Sequence, residues 1–251
     1  MLLEGKRAIV TGAAGGIGAV TAALMAQEGA AVVVADINEE QGEQTVAGIR
    51  DKGGRAHFVR TDVTKESDLK VLITRGAELL GGLDTLFNNA GAQRSGAVEQ
   101  FEQSDWDLLM AVNPRSCFLA IKHAVPILRD GGGGSIINMA SLAGVKGGPG
   151  LTAYSASKGA IVGFTKALSA ELAPSKIRVN CVCPGWIDTP FNQPAINFMG
   201  GREDQERVVK KIVPMGRQGT PDEIAPMVVY LASDGSTYMT GQALIIDGGV
   251  Y

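Results

Sequence analysis

The sequence predicts an α/β protein in which one doubly wound domain contains a parallel sheet of about seven strands with helices on both faces. Short runs rich in β-branched residues alternate with longer amphipathic stretches along the whole chain. The short runs are almost continuously apolar, which is typical of parallel strands buried on both sides. No linker-like segment and no repeat of fixed period divides residues 1–251, so we expect a single domain.

The predicted elements follow one another in strict alternation. The strands are expected at 7–10, 31–35, 56–60, 85–87, 135–139, 178–182 and 244–246. The helices are expected at about 17–28, 39–52, 65–80, 103–129, 153–173 and 222–233. This order is that of a Rossmann domain, in which ligands bind at the carboxyl ends of the strands.

Composition and charge argue against several classes of function. The chain has 23 Lys and Arg against 26 Asp and Glu, a net charge of −3 and no basic block, so nucleic acid is not expected as a partner. No apolar run reaches the roughly 18 residues of a membrane span, so we expect a cytoplasmic protein without membrane contact. Only two histidines and three cysteines are present, so neither a metal site nor a Ser-His-Asp hydrolase is expected.

A glycine-rich loop, residues 11–18, follows the first predicted strand and opens the first helix. Glycines there let backbone N–H groups approach a diphosphate. Asp36 ends the second strand, where a carboxylate can bind a ribose diol and repel a 2′-phosphate. Neither Gly15 nor Ile37 supplies a compensating cation. The pattern predicts a dinucleotide site that prefers NAD to NADP, with helix capping as the alternative role of Asp36.

Tyr154 and Lys158 lie four residues apart in a predicted helix and therefore share one face. Ionising a tyrosine at neutral pH costs roughly 4 kcal/mol. An ammonium at about 4 Å supplies about that much at an effective dielectric near 20. Ser141 adds a hydroxyl after the fifth strand. We therefore expect a proton-transfer site that contains all three side chains.

The motifs together resemble those of the short-chain dehydrogenase/reductase family, in its NAD-preferring branch, over essentially the whole chain. Ser141 stands 13 residues before Tyr154, and Asn113 matches the fourth catalytic position of the family. The other matches are Thr11 to Gly18 with the TGxxxGxG loop, Asn88 to Gly91 with NNAG, Tyr154 to Lys158 with YxxxK, and Pro184-Gly185 with the PG after the sixth strand.

The resemblance implies an NAD-dependent oxidoreductase that transfers a hydride between nicotinamide and a secondary alcohol or its ketone. Tyr154 would be the general acid/base, and Lys158 would lower its pKa and hold the nicotinamide ribose. Ser141 would orient the substrate oxygen, and Asn113 would hold a water of the proton relay. The implied cofactor contacts also include Gly12, Gly16, Ile17 and Gly18 at the diphosphate, Asp36 at the ribose, Asp62 and Val63 at the adenine, Asn89 beside the cofactor, and Pro184, Ile187 and Thr189 near the carboxamide. The resemblance further implies a homotetramer built through 103–129, 153–173 and the C-terminal strand.

Two segments need separate expectations. Pro114 follows Asn113 inside a predicted helix and has no N–H, so the helix should depart locally from α-geometry.

The stretch 190–219 is too long for a simple connection and contains Phe191, Phe198 and Met199. We expect it to be a substrate lid that excludes water, with plain surface packing as the alternative.

Several alternatives stay open at the level of sequence. An NADPH-dependent 3-oxoacyl-carrier-protein reductase is similar to this chain, and a non-catalytic NAD-binding module could use the same fold. Gln93 and Arg94 follow the NNAG segment and could line a substrate pocket, although a surface charge is the simpler reading of Arg94. The identity of the alcohol or ketone is not encoded in these motifs.

Overall fold

Seven parallel strands form one sheet in a computed structural model, which describes residues 1–251. The strand order is β3-β2-β1-β4-β5-β6-β7, and every neighbouring pair is parallel. The strands are β1 Arg7–Thr11, β2 Ala31–Asp36, β3 Arg55–Arg60, β4 Thr85–Asn88, β5 Gly134–Met139, β6 Ile177–Pro184 and β7 Ala243–Ile246. The predicted fold class is thereby confirmed.

Helices cover both faces of this sheet. They are α1 Gly16–Gln27, α2 Glu39–Arg50, α3 Glu66–Leu80, α4 Gln103–Met110, α5 Ser116–Asp130, α6 Thr152–Leu172, α7 Gln193–Phe198, α8 Arg202–Ile212 and α9 Pro221–Ala232. The apolar side chains of α1, α2 and α9 pack on one face, and those of α3, α5 and α6 pack on the other. None of the helices has both the length and the apolar character needed to cross a membrane.

The alternation of side chains along β1 shows how one strand contributes to both cores. Ala8 and Val10 belong to the core under α1 and α9, whereas Ile9 belongs to the core under α3 and α5. All three are buried, because a central parallel strand is covered on both sides. The same constraint places the end of each strand at one common edge, where the loops toward the ligand begin.

The chain leaves α-geometry around Pro114, as predicted. A π-helical turn, Ala111–Arg115, separates α4 from α5. Hydrogen bonds of a π-turn span five residues, so the chain passes a proline that cannot donate to the carbonyl four residues earlier. The hydroxyl of Ser116 donates to the carbonyls of Val112 and Asn113 and satisfies groups at the end of this turn.

The segment 190–219 is more regular than its mixed composition indicates. After a short 3-10 turn at Pro190–Asn192 it forms the helices α7 and α8. An ion pair of 2.8 Å joins Arg202, at the start of α8, to Asp188, just after β6. A surface ion pair therefore links the middle of the segment to the carboxyl edge of the sheet.

Candidate active site

A cavity of about 890 Å³ lies along the carboxyl edge of the sheet, beyond the ends of β1, β2, β4, β5 and β6. Most of the predicted site residues line it. These are Gly12, Gly16, Ile17, Asp36, Asn89, Ser141, Tyr154, Lys158, Pro184, Ile187 and Thr189. The proposed cofactor loop and the proposed proton-transfer residues thus share one space.

The glycine-rich loop has the shape that an anionic group requires. Gly12 has a positive φ of 64°, and a Cβ there would lie 2.7 Å from the Cα of Ala90. Helix α1 has no side-chain cap and no acidic residue in its first turn, so its N-terminal N–H groups are not satisfied by side chains. Backbone donors at a helix N-terminus bind phosphate oxygens. The residues present therefore fit a diphosphate.

Asn89 fixes this loop against the end of β4. Its Nδ2 donates to the carbonyls of Thr11, at 3.0 Å, and Gly12, at 2.9 Å. Its backbone N–H donates to the Thr11 hydroxyl at 3.0 Å. Gly18 lies under the loop rather than in the cavity, because a Cβ at Gly18 would collide with the Gly12 carbonyl. Its contact with the cofactor stays a prediction.

Asp36 lines the far end of the cavity and also organises the loop. One carboxylate oxygen accepts the N–H of Ala14 and the other accepts the N–H of Asn38, each at 3.0 Å. Helix α2 is capped by Asn38, so the alternative of Asp36 as its cap is wrong. No arginine lines the cavity, and its lysines are Lys146 and Lys158.

Asp62 and Val63 do not line the cavity. The Asp62 carboxylate accepts two hydrogen bonds from Thr64, at 3.0 and 2.7 Å, in a local turn, and the Lys65 ammonium lies 3.5 Å away. The Thr64 hydroxyl, followed by the other Thr64 and Lys65 contacts, holds the pKa of this carboxyl below its ordinary value. Val63 packs on the core under α3. Their contact with adenine stays a prediction.

Tyr154 and Lys158 are both buried on α6, with exposed fractions of 7% and 2%. The Lys158 Nζ donates to the Met139 carbonyl at 2.8 Å and lies 5.9 Å from the centre of the Tyr154 ring. The Phe191 ring lies 6.2 Å from the Tyr154 ring, centre to centre. The amine is thus anchored to the end of β5, one helical turn from the phenol.

The pKa values of Tyr154 and Lys158 in the free protein differ from the expectation that the ammonium lowers the pKa of the phenol. Burial raises the pKa of Tyr154 to about 12, while the Ser141 hydroxyl acts in the lowering direction. Burial also lowers the pKa of Lys158 to about 8. The low polarity of the site disfavours both charged forms, so the ammonium alone does not offset the cost of a phenolate here.

Asn113 lies behind the cavity wall rather than in it. Its Oδ1 accepts the N–H of Ala92 at 2.8 Å, and its Nδ2 donates to the Ala92 carbonyl at 3.0 Å and to the Ser157 hydroxyl at 2.9 Å. A Cβ on Gly91 would lie 3.3 Å from Asn113 Oδ1 and 3.4 Å from Lys158 Nζ. The side chain therefore ties the segment after β4 to α6. Its water-holding role stays a prediction.

The remaining cavity walls come from the expected lid residues and from further residues that no motif indicates. The expected members Phe191, Phe198 and Met199 all line the cavity. Additional apolar members are Leu142, Leu151, Trp186, Val208, Ile212 and Val250. The Lys146 ammonium, near the rim, donates to the Val250 carbonyl at 2.8 Å. These residues are far apart in sequence, so their meeting depends on tertiary packing.

The two residues after the NNAG segment have different surroundings. Gln93 lines the cavity and is buried. Arg94 does not line it and forms an ion pair with Asp105 at 3.0 Å. The expectation of a surface charge at Arg94 is confirmed. No group of three or more His, Cys, Asp or Glu side chains is arranged as a metal site.

Comparison with known proteins agrees with this geometry. A family model described as Enoyl-(Acyl carrier protein) reductase matches residues 12–251. A 2,5-dichloro-2,5-cyclohexadiene-1,4-diol dehydrogenase of Sphingobium indicum is 41% identical over 249 residues, which are 98% of this chain and 96% of that protein. A 3-oxoacyl-[acyl-carrier-protein] reductase of Thermotoga maritima is 38% identical over 100% of this chain and 99% of its own length.

The solved structures lead to the same conclusion. A crystal structure from Sinorhizobium meliloti 1021, provisionally assigned to the short-chain alcohol dehydrogenases, superposes with a TM-score of 0.93 at 35% identity. The match covers 99% of this chain and 97% of the other. The chain belongs to the short-chain dehydrogenase/reductase family and is an oxidoreductase of that family.

The burial of Lys158 predicts a specific dependence of stability on pH. Its pKa is about 8 in the folded protein against an ordinary value of 10.5, so the unfolded chain binds more protons between these values. The contribution of Lys158 to the free energy of unfolding should rise with pH there, by roughly 1.4 kcal/mol per pH unit. Tyr154 has the opposite effect: its pKa is about 12 in the folded protein against an ordinary value of 10.0, so its contribution to the free energy of unfolding should fall as the pH rises above 10.0.

Urea denaturation of the wild type and Lys158→Met from about pH 7 to about pH 10 measures this contribution. The variant should lack the rise that the wild type shows above about pH 8. Lys166→Met replaces an exposed lysine of the same helix and should keep the wild-type slope. Equal slopes in the wild type and Lys158→Met would contradict the assignment.

Proposed function

We propose that this protein is an NAD-dependent dehydrogenase that transfers a hydride between nicotinamide and a secondary alcohol or its ketone. The observation that carries the proposal is the single cavity lined by the glycine-rich loop and by Ser141, Tyr154 and Lys158. A dinucleotide site and an acid/base pair in one space are what hydride transfer coupled to proton transfer requires.

The side chains divide the chemistry as follows. Ser141 orients the substrate oxygen. The Tyr154 phenolate accepts the alcohol proton during oxidation, and the Tyr154 phenol donates a proton to the ketone oxygen during reduction. Lys158 holds the nicotinamide ribose and favours the phenolate of Tyr154. When bound, nicotinamide would supply the hydride chemistry, and its oxidised form would add a positive charge beside the phenol. A water held at Asn113 connects Lys158 with solvent.

Cofactor binding uses the rest of the cavity. Gly12, Gly16 and Ile17 hold the diphosphate, with Gly18 supporting the loop from below. Asp36 binds the ribose of the adenosine half. Further contacts within the cavity are Asn89 beside the cofactor and Pro184, Ile187 and Thr189 near the carboxamide. Asp62 and Val63, which lie outside the cavity lining, contact the adenine in this proposal.

The segment 190–219 serves as the substrate lid in this proposal. Its residues Phe191, Phe198 and Met199 line the cavity, and Phe191 packs near Tyr154. Apolar side chains at that place exclude water from the reacting atoms.

A 3-oxoacyl-carrier-protein reductase is the second candidate, favoured by the 38% identity to the Thermotoga maritima reductase. The use of NADPH instead of NAD separates this candidate most simply from the first. Asp36 favours NAD, because its carboxylate at the ribose end repels a 2′-phosphate and no arginine lines the cavity to compensate.

We further propose a homotetramer in the cytoplasm. The helices α4, α5 and α6 border an apolar groove lined by Met110, Pro114, Phe118, Phe164 and Leu168, among others. Phe118 is 55% exposed, and β7 is an edge strand of the sheet. A second copy would cover these surfaces, and sedimentation at the mass of one chain would contradict the assembly.

The three free cysteines suit a reducing compartment.

Tyr154→Phe distinguishes an enzyme from a non-catalytic NAD-binding module. Loss of the acid/base group should lower turnover of secondary alcohols by about 100-fold or more. NADH binding, followed by fluorescence, should persist because the ring still fills its place. Tyr238→Phe alters a fully exposed ring and should retain wild-type activity. A wild-type protein that binds NADH but turns over no alcohol or ketone would support the binding module.

Asp36→Asn tests the preference for NAD. Asparagine keeps an oxygen acceptor for the Ala14 N–H but removes the negative charge. The ratio of kcat/KM with NAD to kcat/KM with NADP should fall by about tenfold or more. Asp51→Asn, an exposed change just after α2, is the control and should leave the ratio unchanged. A wild type that prefers NADP would instead favour the reductase candidate.

A further inference from the structure

Residues 247–251, called the strap below, turn back from the end of β7 to the cavity. Gly248 and Gly249 have positive φ angles of 69° and 96°, a conformation that glycine adopts without strain. The Asp247 carboxylate closes the turn by accepting the N–H groups of Gly249 and Tyr251, each at 2.8 Å. The strap thereby brings Val250 to the cavity wall.

One side of the strap is held by the turn that follows Ser141. The Lys146 ammonium donates to the Val250 carbonyl at 2.8 Å. The Lys146 backbone N–H donates to the Leu142 carbonyl at 2.8 Å, and the Ser141 Oγ accepts the N–H of Ala143 at 3.1 Å. Val250 is therefore one lysine side chain away from the turn that carries Ser141.

The other side of the strap is held by the end of the segment 190–219. The Met215 N–H donates to the Gly248 carbonyl at 3.2 Å. A Cβ on Gly249 would lie 3.1 Å from the Pro214 Cγ, so the two backbones are closely packed. Because the strap is held on both sides, Val250 cannot move aside for a larger ligand without breaking these contacts.

The surroundings of Val250 are suited to an apolar group of a ligand. Leu142 and Ala143, from the turn after Ser141, and Ile212, from α8, line the same cavity. In an apolar wall, a difference of one methylene group changes the specificity constant by roughly 10- to 200-fold. The size of the side chain at position 250 is therefore able to discriminate between substrates.

We propose that Val250 is a specificity-determining residue that limits the size of the apolar group beside the reacting carbinol. Lys146 is the positioning residue that holds Val250 in place. The inference rests on the proposed function and narrows its substrate class to secondary alcohols and ketones with a compact carbon skeleton. Heavily branched skeletons meet Val250 and bind more weakly.

Steady-state oxidation of cyclohexanol and 4-tert-butylcyclohexanol tests the proposal. The wild type should prefer cyclohexanol in kcat/KM. Val250→Ala and Lys146→Met should each raise the relative kcat/KM for the bulky alcohol by about tenfold, through KM, because the wall recedes or is released. Lys146→Arg keeps a donor and should retain the wild-type ratio. Val71→Ala is the matched control, since Val71 is exposed on α3 and does not line the cavity.

Two further measurements distinguish positioning by Lys146 from a general loss of structure. The double variant Lys146→Met/Val250→Ala should change the ratio no more than Val250→Ala alone, because Lys146 acts through Val250. Hydrogen exchange, followed by mass spectrometry of the peptide that contains the strap, does not depend on turnover. Lys146→Met should speed exchange there about tenfold, whereas Lys146→Arg should not.

An unchanged ratio in Val250→Ala or in Lys146→Met would overturn the proposal. So would a Lys146→Met variant whose only defect is with 4-hydroxycyclohexanecarboxylate, because Lys146 would then bind an anionic substituent instead. Failure of the wild type to oxidise any of these alcohols counts against the proposed function itself. The exchange experiment would still report whether Lys146 holds the strap.

Discussion

The burial of an amine beside a phenol is the constraint on which the rest of the site depends. Lys158 and Tyr154 lie one turn apart on α6, and each is nearly inaccessible to solvent. An ammonium in such a place needs fixed partners, and the Met139 carbonyl at the end of β5 provides one. The requirement fixes α6 against the sheet and thereby sets the position of Tyr154, the proposed acid/base group, relative to the glycine-rich loop.

The parallel sheet explains why so much of the site could be predicted from the sequence. Strands that are apolar on both faces must carry their polar residues at their ends, so Asp36, Asn88 and Ser141 could be placed at one edge from the sequence. Pro114 could likewise be expected to disturb its helix, because it lacks an N–H. The form of the disturbance, a π-turn, depends on Ser116 and the packing around it.

Other features depend on contacts that a local pattern does not encode. Asp62 matches a family position, yet its carboxylate bonds to Thr64 because an Asx-type turn satisfies it locally. The cavity lining joins Gln93, Lys146, Trp186 and Val250 from four separate segments. These residues meet because of the way in which the segments connecting strands and helices pack against one another. This packing gives the cavity largely apolar walls next to Tyr154 and Lys158, whose charged forms are both disfavoured by burial.

The central claim is that the site without cofactor keeps Tyr154 protonated and that binding of oxidised NAD releases this restraint. NMR of the protein with tyrosine labelled with carbon-13 at Cζ measures the ionisation of Tyr154 directly, with Tyr154→Phe assigning its signal among the four tyrosines. The account predicts a pKa of about 12 in the free protein and a value below 10.0 with oxidised NAD bound. A Tyr154 that remains protonated above that pH in the NAD complex would contradict it.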